Sequence, residues 1–404
     1  MEQDKLFPST TPQAPDIYTF PDGIMGGFAN EFATILSSHL ESAKHFFFFS
    51  VLTCLGLLFS CRVKLKSELH QEPRIYLVLL GESADDRKST AIIKSINFFN
   101  SVKDVLNDLY ATCDGAGSAE GLIKVFRKNT NDGRVLLIYD EFAVFISKAG
   151  IESSVLLPCV NTLYEQTKYE NATSKDRLIV EDAHLAMVAA CTIDTWNRIW
   201  SPTFTAIGFQ NRLFLCPGKG RRQFAFPEKI PDNIKENLKT MFNEIVKWIG
   251  EGREIGITDE AKRVYEEWYL NLERSVHSKR LDVYGLRFMM LFCINEQKDI
   301  IDEDIVAKVI KLMNWQLSVR KVLDPLDCDN KIALMEARIR RCLTPPGTIK
   351  TEREIKRACH LKQAGYWIYN VAKANLLSAN EIIPTGKKNA KHKRFRLNPK
   401  ELLD

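Results

Sequence analysis

The 404-residue chain has no CxxC pair, no internal repeat, no low-complexity stretch and no apolar run of the ~20 residues that a bilayer span requires. Each absence removes a class of protein. Ten cysteines without paired spacing exclude a disulfide framework and a zinc ribbon, so buried free thiols in a reducing compartment are expected. Cys359-His360 belongs to no metal-ligand pattern, and seven scattered histidines with no nucleophile elbow give no basis for a Ser/His/Asp triad. Met1 to Asp22 holds four acidic residues, four prolines and no apolar stretch, which is not the composition of a secretory leader, and a cytoplasmic location is the expectation. The 16 uncharged residues from Phe46 to Cys61 are flanked by Lys44-His45 and Arg62, with no charge asymmetry to orient a span. They read as a helix buried in a protein core, not as a membrane anchor.

What is present describes a globular chain: 45% hydrophobic, 26% charged, and long enough for two or three cores. The charge is unevenly placed. Residues 330–404 contain 17 Lys+Arg and 6 Asp+Glu, a net of +11, which against +5 for the whole chain leaves −6 for residues 1–329. Such a local excess suits a polyanion partner.

The texture divides the chain. Residues 1–26, with Pro8, Pro12, Pro15 and Pro21, read as an irregular arm, and 27–72 as a helical block. In 73–228, short apolar runs at 74–80, 134–139 and 185–191 lack alternation and are separated by helical patterns at 119–127 and 156–166. That is an α/β core with a parallel sheet covered on both faces. Residues 229–328 carry amphipathic patterns at 233–249, 259–275, 286–296 and 304–322 and read as an all-helical lid. Residues 329–404 form a basic domain, in which Thr351 with Glu354 is a capping box that opens a helix. A second helix at 364–377 and two short strands around residues 385–394 complete a pattern similar to a winged helix, with one helix for the major groove and a hairpin for phosphates. The nucleic-acid candidates are Lys362, Lys373, Lys387, Lys388, Lys391, Lys393, Arg394 and Arg396, and they predict backbone binding with a steep salt dependence.

A site is spelled where the first strand ends. Gly81 closes the strand, a polar turn through Ser83 follows, and Arg87-Lys88-Ser89-Thr90 opens a helix. A phosphate-binding loop needs these parts: a helix N-terminus and backbone N–H groups for anionic oxygens, a lysine for the β- and γ-phosphates, and a hydroxyl for Mg²⁺. The spelling is lengthened, with six residues between Gly81 and Lys88, Arg87 in place of the second glycine, and Asp85 and Asp86 bringing negative charge near the phosphates. The strand at 134–139 ends in Asp140, a candidate for Mg²⁺ together with Ser89, and Glu141, a candidate to orient an attacking water. Thr192, with Asp194 as the alternative, is the candidate γ-phosphate sensor. Arg212 is either a surface charge capping the strand after it or an arginine that reaches a neighbouring subunit's γ-phosphate, with Arg221 and Arg222 in reserve. Arg287 is a candidate for phosphate contact in cis.

The order of a helical block, the 73–83 strand and turn running into Arg87-Lys88-Ser89-Thr90, Gly117-Ser118-Ala119-Glu120-Gly121-Leu122, the Asp140-Glu141 strand, and Gly208 to Arg212 before a helical lid resembles the helicase-like P-loop ATPases of prophages, plasmids and other mobile elements, often encoded beside or fused to primases. The resemblance spans roughly residues 28–325. It implies a RecA/AAA+-like P-loop core, ATP and Mg²⁺ at Gly81, Ser83, Arg87, Lys88, Ser89, Thr90 and Asp140, catalysis by Glu141, Lys88, Thr192 and Arg212, and a homo-oligomeric ring such as a hexamer acting on DNA. A primase or polymerase is the further partner it implies. The runner-up reading is a DNA-binding initiator or regulator whose nucleotide site serves structure only, and a third is a nucleotide-gated scaffold that recruits a primase or polymerase.

Overall fold

The computed structural model describes residues 17–68, 70–103, 110–128, 133–172, 177–200, 204, 207–323, 331–344, 347–359, 361, 365–385 and 393–398. They fall into two compact units, divided between residues 324 and 325.

The first unit opens with α1 (Gly27–His39) and α2 (Lys44–Leu58). β1 (Val63–Leu65), β2 (Tyr76–Gly81), α3 (Lys88–Ser101), β3 (Ala111–Asp114), α4 (Ala119–Lys128), β4 (Arg134–Tyr139), α5 (Phe142–Ala149) and α6 (Leu156–Glu165) follow. Then come an antiparallel pair, β5 (Tyr169–Ala172) and β6 (Arg177–Val180), β7 (His184–Thr192), the single turn α7 (Ile193–Trp196) and β8 (Phe214–Pro217). Five of the strands make one sheet in the order β3-β4-β7-β2-β8, with every neighbouring pair parallel. β2 is buried along its whole length, and β4 and β7 along nearly all of theirs. Covered on both faces, these strands are apolar without alternation. β3 gave no such signal, because Ala111-Thr112-Cys113-Asp114 lies at the edge of the sheet and buries only Cys113.

α2 is buried from His45 to Leu58. It packs against α1 and α3 and lies over β2, β4 and β7, so it has no side free for a polar stripe. Among the described residues no helix is long and apolar enough to cross a membrane.

The rest of this unit holds α8 (Asp232–Ile249), α9 (Asp259–Asn271), α10 (Leu281–Glu296) and α11 (Glu303–Leu323). It is not wholly helical, as the sequence led us to expect. β9 (Arg253–Ile257) and β10 (Ile300–Ile301) join β1 in a parallel sheet of order β1-β9-β10. Each buries a single isoleucine, Ile255 and Ile301, too little apolar sequence to announce a strand. One continuous core runs from Ile17 to Leu323 and joins the helical block, the sheet and the helical region. Phe49 of α2 shows how: its ring lies 5.0 Å from that of Phe214 on β8 and 5.9 Å from that of Phe288 on α10.

The second unit has its own core, built on Met335, Ile339, Ile355, Tyr369, Leu376 and Phe395 among others. Its order is α12 (Lys331–Cys342), β11 (Lys350–Thr351), α13 (Glu352–Ala358), α14 (Tyr366–Ser378), β12 (Ile382–Thr385) and β13 (Arg394–Leu397), with an antiparallel sheet β11-β13-β12. The capping box is formed: Thr351 Oγ1 accepts from the Glu354 N–H, and the Glu354 carboxylate accepts from the Thr351 N–H.

Candidate functional site

In parallel sheets ligands lie outside the carboxyl ends of the strands, where helix N-termini also converge. At that edge of this sheet the β2–α3 turn, the end of β4 and the end of β7 come together. β7 separates β2 from β4, and Gly81 is paired in register with Thr192.

Lys88 is the first residue of α3, and its side chain turns back under the turn that precedes it. Its Nζ donates to the carbonyl oxygens of Gly81 (3.1 Å) and Glu82 (2.7 Å). Burial holds the Lys88 pKa below the usual lysine value, opposed by the nearby charges of Asp86, Glu82 and Asp140. The ammonium is therefore poorly solvated, and among the described residues its hydrogen-bond partners are those two carbonyls. Ser83 is exposed, and its carbonyl accepts from the Asp85 N–H (2.7 Å). Ala84 (φ +58°) and Arg87 (φ +48°) both lie in the left-handed region. Arg87 thus keeps the backbone conformation for which glycine is the easy residue.

The two acidic residues of the turn have different partners. Asp86 is buried, and its carboxylate accepts from the Glu82 N–H within the turn and from the Gly220 N–H (2.6 Å) beyond β8. Asp85 pairs with Arg222, and that hydrogen-bonded guanidinium holds its carboxyl below the usual carboxylate range. Asp86 stays close enough to Lys88 for its charge to oppose the effect of burial there, whereas the charge of Asp85 is paired with Arg222. Gly81 permits the arrangement, since a Cβ there would lie 2.5 Å from Asp86 Oδ2. The α1–α2 link secures the turn from the other side: Glu41 pairs with Arg87 (3.2 Å) and accepts from the Gln223 and Phe224 N–H groups, while Ser42 Oγ donates to the Arg87 carbonyl (3.0 Å). Those backbone donors, Phe224 first, hold the Glu41 pKa below its ordinary value. Glu41 and Ser42 gave no sequence signal, because nothing local marks them as neighbours of the turn; of the two reserve arginines, Arg222 pairs with Asp85 and Arg221 donates its N–H to the Glu41 carbonyl (3.0 Å).

Ser89, Asp140 and Glu141 line one cleft of about 690 Å³, whose apolar wall includes Ile92, Ile93 and Val144. Asp140 and Glu141 are exposed at the end of β4, and Glu141 is the residue before α5. Thr90 is half-buried behind Ser89 and donates its N–H to the Arg87 carbonyl (3.1 Å). Thr192 caps α7, accepting from the Thr195 N–H (3.1 Å) and donating to Thr195 Oγ1 (2.8 Å). Asp194 pairs with Arg198. Among the described residues no group of three or more His, Cys, Asp or Glu side chains is placed to hold a metal ion.

Two arginines do not join this group. Arg212 precedes β8, whose Phe214 is paired with Leu77 and whose Pro217 is paired with Leu80, so it stands at the amino end of the strands. Its Nη1 donates to the carbonyls of Gly208 (3.1 Å) and Ile207 (3.3 Å). Arg287 is buried on α10 at the same end; it donates to the Arg74 carbonyl (2.6 Å) and the Tyr164 carbonyl (2.7 Å) and stacks over the Tyr164 ring. A cis phosphate contact for Arg287 is corrected by that placement. Its donors brace α10 against β2 and α6.

In the second unit, Lys393 and Arg394 are exposed at the start of β13 and Arg396 is half-buried. Lys373 is not an outward cation: it pairs with Glu352 (2.7 Å) and lies over the Tyr369 and Phe395 rings. Lys362, Lys387, Lys388 and Lys391 lie outside the described residues. Sequence reasoning missed Arg353 and Arg357, which are both exposed on α13, although their i,i+4 spacing inside the capped helix was a usable signal.

No protein-family model matches the chain, and no curated protein matches it.

Proposed function

We propose that the chain is a P-loop ATPase that couples nucleotide hydrolysis to work on DNA. One observation carries this reading: a serine hydroxyl and two exposed carboxylates line a cleft at the carboxyl edge of a parallel sheet, and the helix start that brings the serine there also carries a buried lysine ammonium. The phosphates of ATP lie against the first turn of α3, where the Lys88 and Ser89 N–H groups have no acceptor inside the helix. Lys88 exchanges the Gly81 and Glu82 carbonyls for phosphate oxygens. Ser89 and Asp140 are the groups that hold Mg²⁺, which when bound neutralises charge on the phosphates; two protein ligands suit an ion that keeps most of its waters. Glu141 orients the water that attacks the γ-phosphorus, the bond to the β–γ bridging oxygen breaks, and ADP and phosphate leave. Thr192, paired with Gly81, reports the γ-phosphate when its hydroxyl turns away from Thr195.

Arg212 stands roughly 20 Å from the turn, the length of the six-residue β2 at ~3.3 Å per residue. It therefore serves only the site of another copy, in a homo-oligomeric ring such as a hexamer. The second unit is a winged helix that binds DNA, supported by its strand and helix order and its net charge. A role in the replication of a mobile element and a primase or polymerase partner follow from the resemblance of 28–325, and a cytoplasmic location from the composition of residues 1–22.

The test is DNA-stimulated ATP turnover by the wild type, Lys88→Ala and Glu141→Gln. We expect turnover in the wild type and a loss of about 10²-fold or more in each variant. Turnover that is absent in the wild type, or unchanged in both variants, eliminates the motor. The initiator or regulator with a structural nucleotide site is favoured by one feature, the capture of Lys88 Nζ by the turn's own carbonyls. It predicts ATP binding without turnover.

A further inference from the structure

The first turn of α14 exposes two adjacent aromatic side chains, Tyr366 at 64% and Trp367 at 69%. Neither belongs to the core of its unit. The buried face of α14 is Tyr369, Ala372 and Leu376, at i, i+3 and i+7, while Asn370 and Ala374 continue the exposed side. Gly365, at φ +92°, precedes the pair, and among the described residues nothing lies within 4 Å of the place its Cβ would occupy. α14 contains no acidic residue, and its lysine, Lys373, is committed to Glu352.

The surroundings are cationic. α13 is tied to α14 by that Glu352–Lys373 pair and by Lys356, whose Nζ lies 5.5 Å from the Tyr369 ring centre. It exposes Arg353 and Arg357. Together with Lys393 they have no ion pair among the described residues, in a region whose net charge is +11.

We infer that Tyr366 and Trp367 form a stacking platform for unpaired nucleobases, so that the second unit binds DNA with exposed single-stranded bases in preference to an intact duplex. The inference rests on the DNA-binding reading above and names the form of DNA. Arginines and lysines on phosphate bind either form, because the backbone is common to both. The aromatic faces discriminate. In a duplex each base has its π-faces covered by its neighbours and offers only edges in the grooves, whereas an unpaired base offers a face to a tyrosine or tryptophan ring. Two adjacent rings take one or two bases, with no preference for sequence, since every base has a π-face.

The experiment uses the full chain and three fluorescently labelled DNAs: a blunt duplex, the same duplex with unpaired tails, and a single strand. Anisotropy titrations compare the wild type, Tyr366→Ala, Trp367→Ala and Trp367→Phe. We expect the tailed and single-stranded DNAs to bind about tenfold or more tightly than the blunt duplex. Each alanine variant loses that preference, its affinity for the tailed and single-stranded DNAs falling to no more than its affinity for the blunt duplex, and Trp367→Phe retains most of the preference. The exposed pair contributes nothing to the core, so circular dichroism of the variants should match the wild type. Equal affinity of the wild type for blunt and tailed DNA, or a preference for tails that survives both alanine substitutions, overturns the inference and leaves the DNA-binding reading standing. Failure to bind any of the three overturns both. A change in self-association on Trp367→Ala, with DNA affinities unaltered, assigns the pair to contacts between copies and likewise overturns it.

Discussion

Asp85 and Asp86 give the turn after β2 its unconventional acidic spelling; Arg222 pairs with Asp85, and Asp86 accepts from the Glu82 and Gly220 N–H groups. A second buried group on the same wall has a measurable consequence. His45 Nε2 lies 2.9 Å from the Pro217 carbonyl, which can only accept, so the nitrogen donates. Burial lowers the His45 pKa from 6.5 to about 4. Between those values the unfolded chain binds the proton and the folded chain does not, so His45 makes stability fall as pH drops from 6.5 towards 4, by about 3 kcal/mol across the window. His45→Gln keeps a donor and does not titrate. Urea unfolding at a series of pH values should show a shallower decline in the variant, and equal slopes would disprove the assignment.

At the scale of elements, α2 shows how packing reverses a local preference. Replacing a helical glycine with alanine ordinarily favours a helix by about 1 kcal/mol. At Gly56 a Cβ would lie 2.0 Å from the Pro73 carbonyl oxygen, which is backbone and cannot swing aside. Gly56→Ala should therefore destabilise the protein by about 2 kcal/mol or more, read as a lower midpoint of thermal unfolding. A midpoint equal to or above that of the wild type would mean that the helix can move. The direction of β8 is equally decisive. Arg212 sits two residues before a strand that runs parallel to β2, so the same spelling that suggested a phosphate ligand places it at the opposite edge. The buried strands and the long helices were legible, because apolar runs and amphipathic spacing are local. β3, β9 and β10 were not, since edge or half-exposed strands need little apolar sequence once a neighbour supplies their hydrogen bonds.

For the whole molecule, charge is the property that spans both units. The net charge is −6 over residues 1–329 and +11 over 330–404. If the second unit's exposed Arg353, Arg357, Lys393 and Arg394, with the lysines of the 387–391 segment, make six or more phosphate contacts, duplex affinity should fall by about 10³-fold between about 50 and 200 mM salt. An affinity that does not change over that range would exclude phosphate binding as its source. The single core from Ile17 to Leu323 also means that damage to α2 or α10 reaches the sheet, and with it the candidate site.

By itself the sequence determined the local matters: which runs are strands or helices, the Arg87-Lys88-Ser89-Thr90 helix start, the Asp140-Glu141 strand end and the basic C-terminal region. Each is written in neighbouring residues through periodicity, capping or charge. Only the tertiary structure decided which of them meet. Strand order and direction bring Thr192 beside Gly81 and send Arg212 and Arg287 to the far edge, and contacts more than 100 residues apart tie Asp85 to Arg222 and Asp86 to the Gly220 N–H. Such pairings depend on the path of the chain through a shared core, which no local pattern encodes.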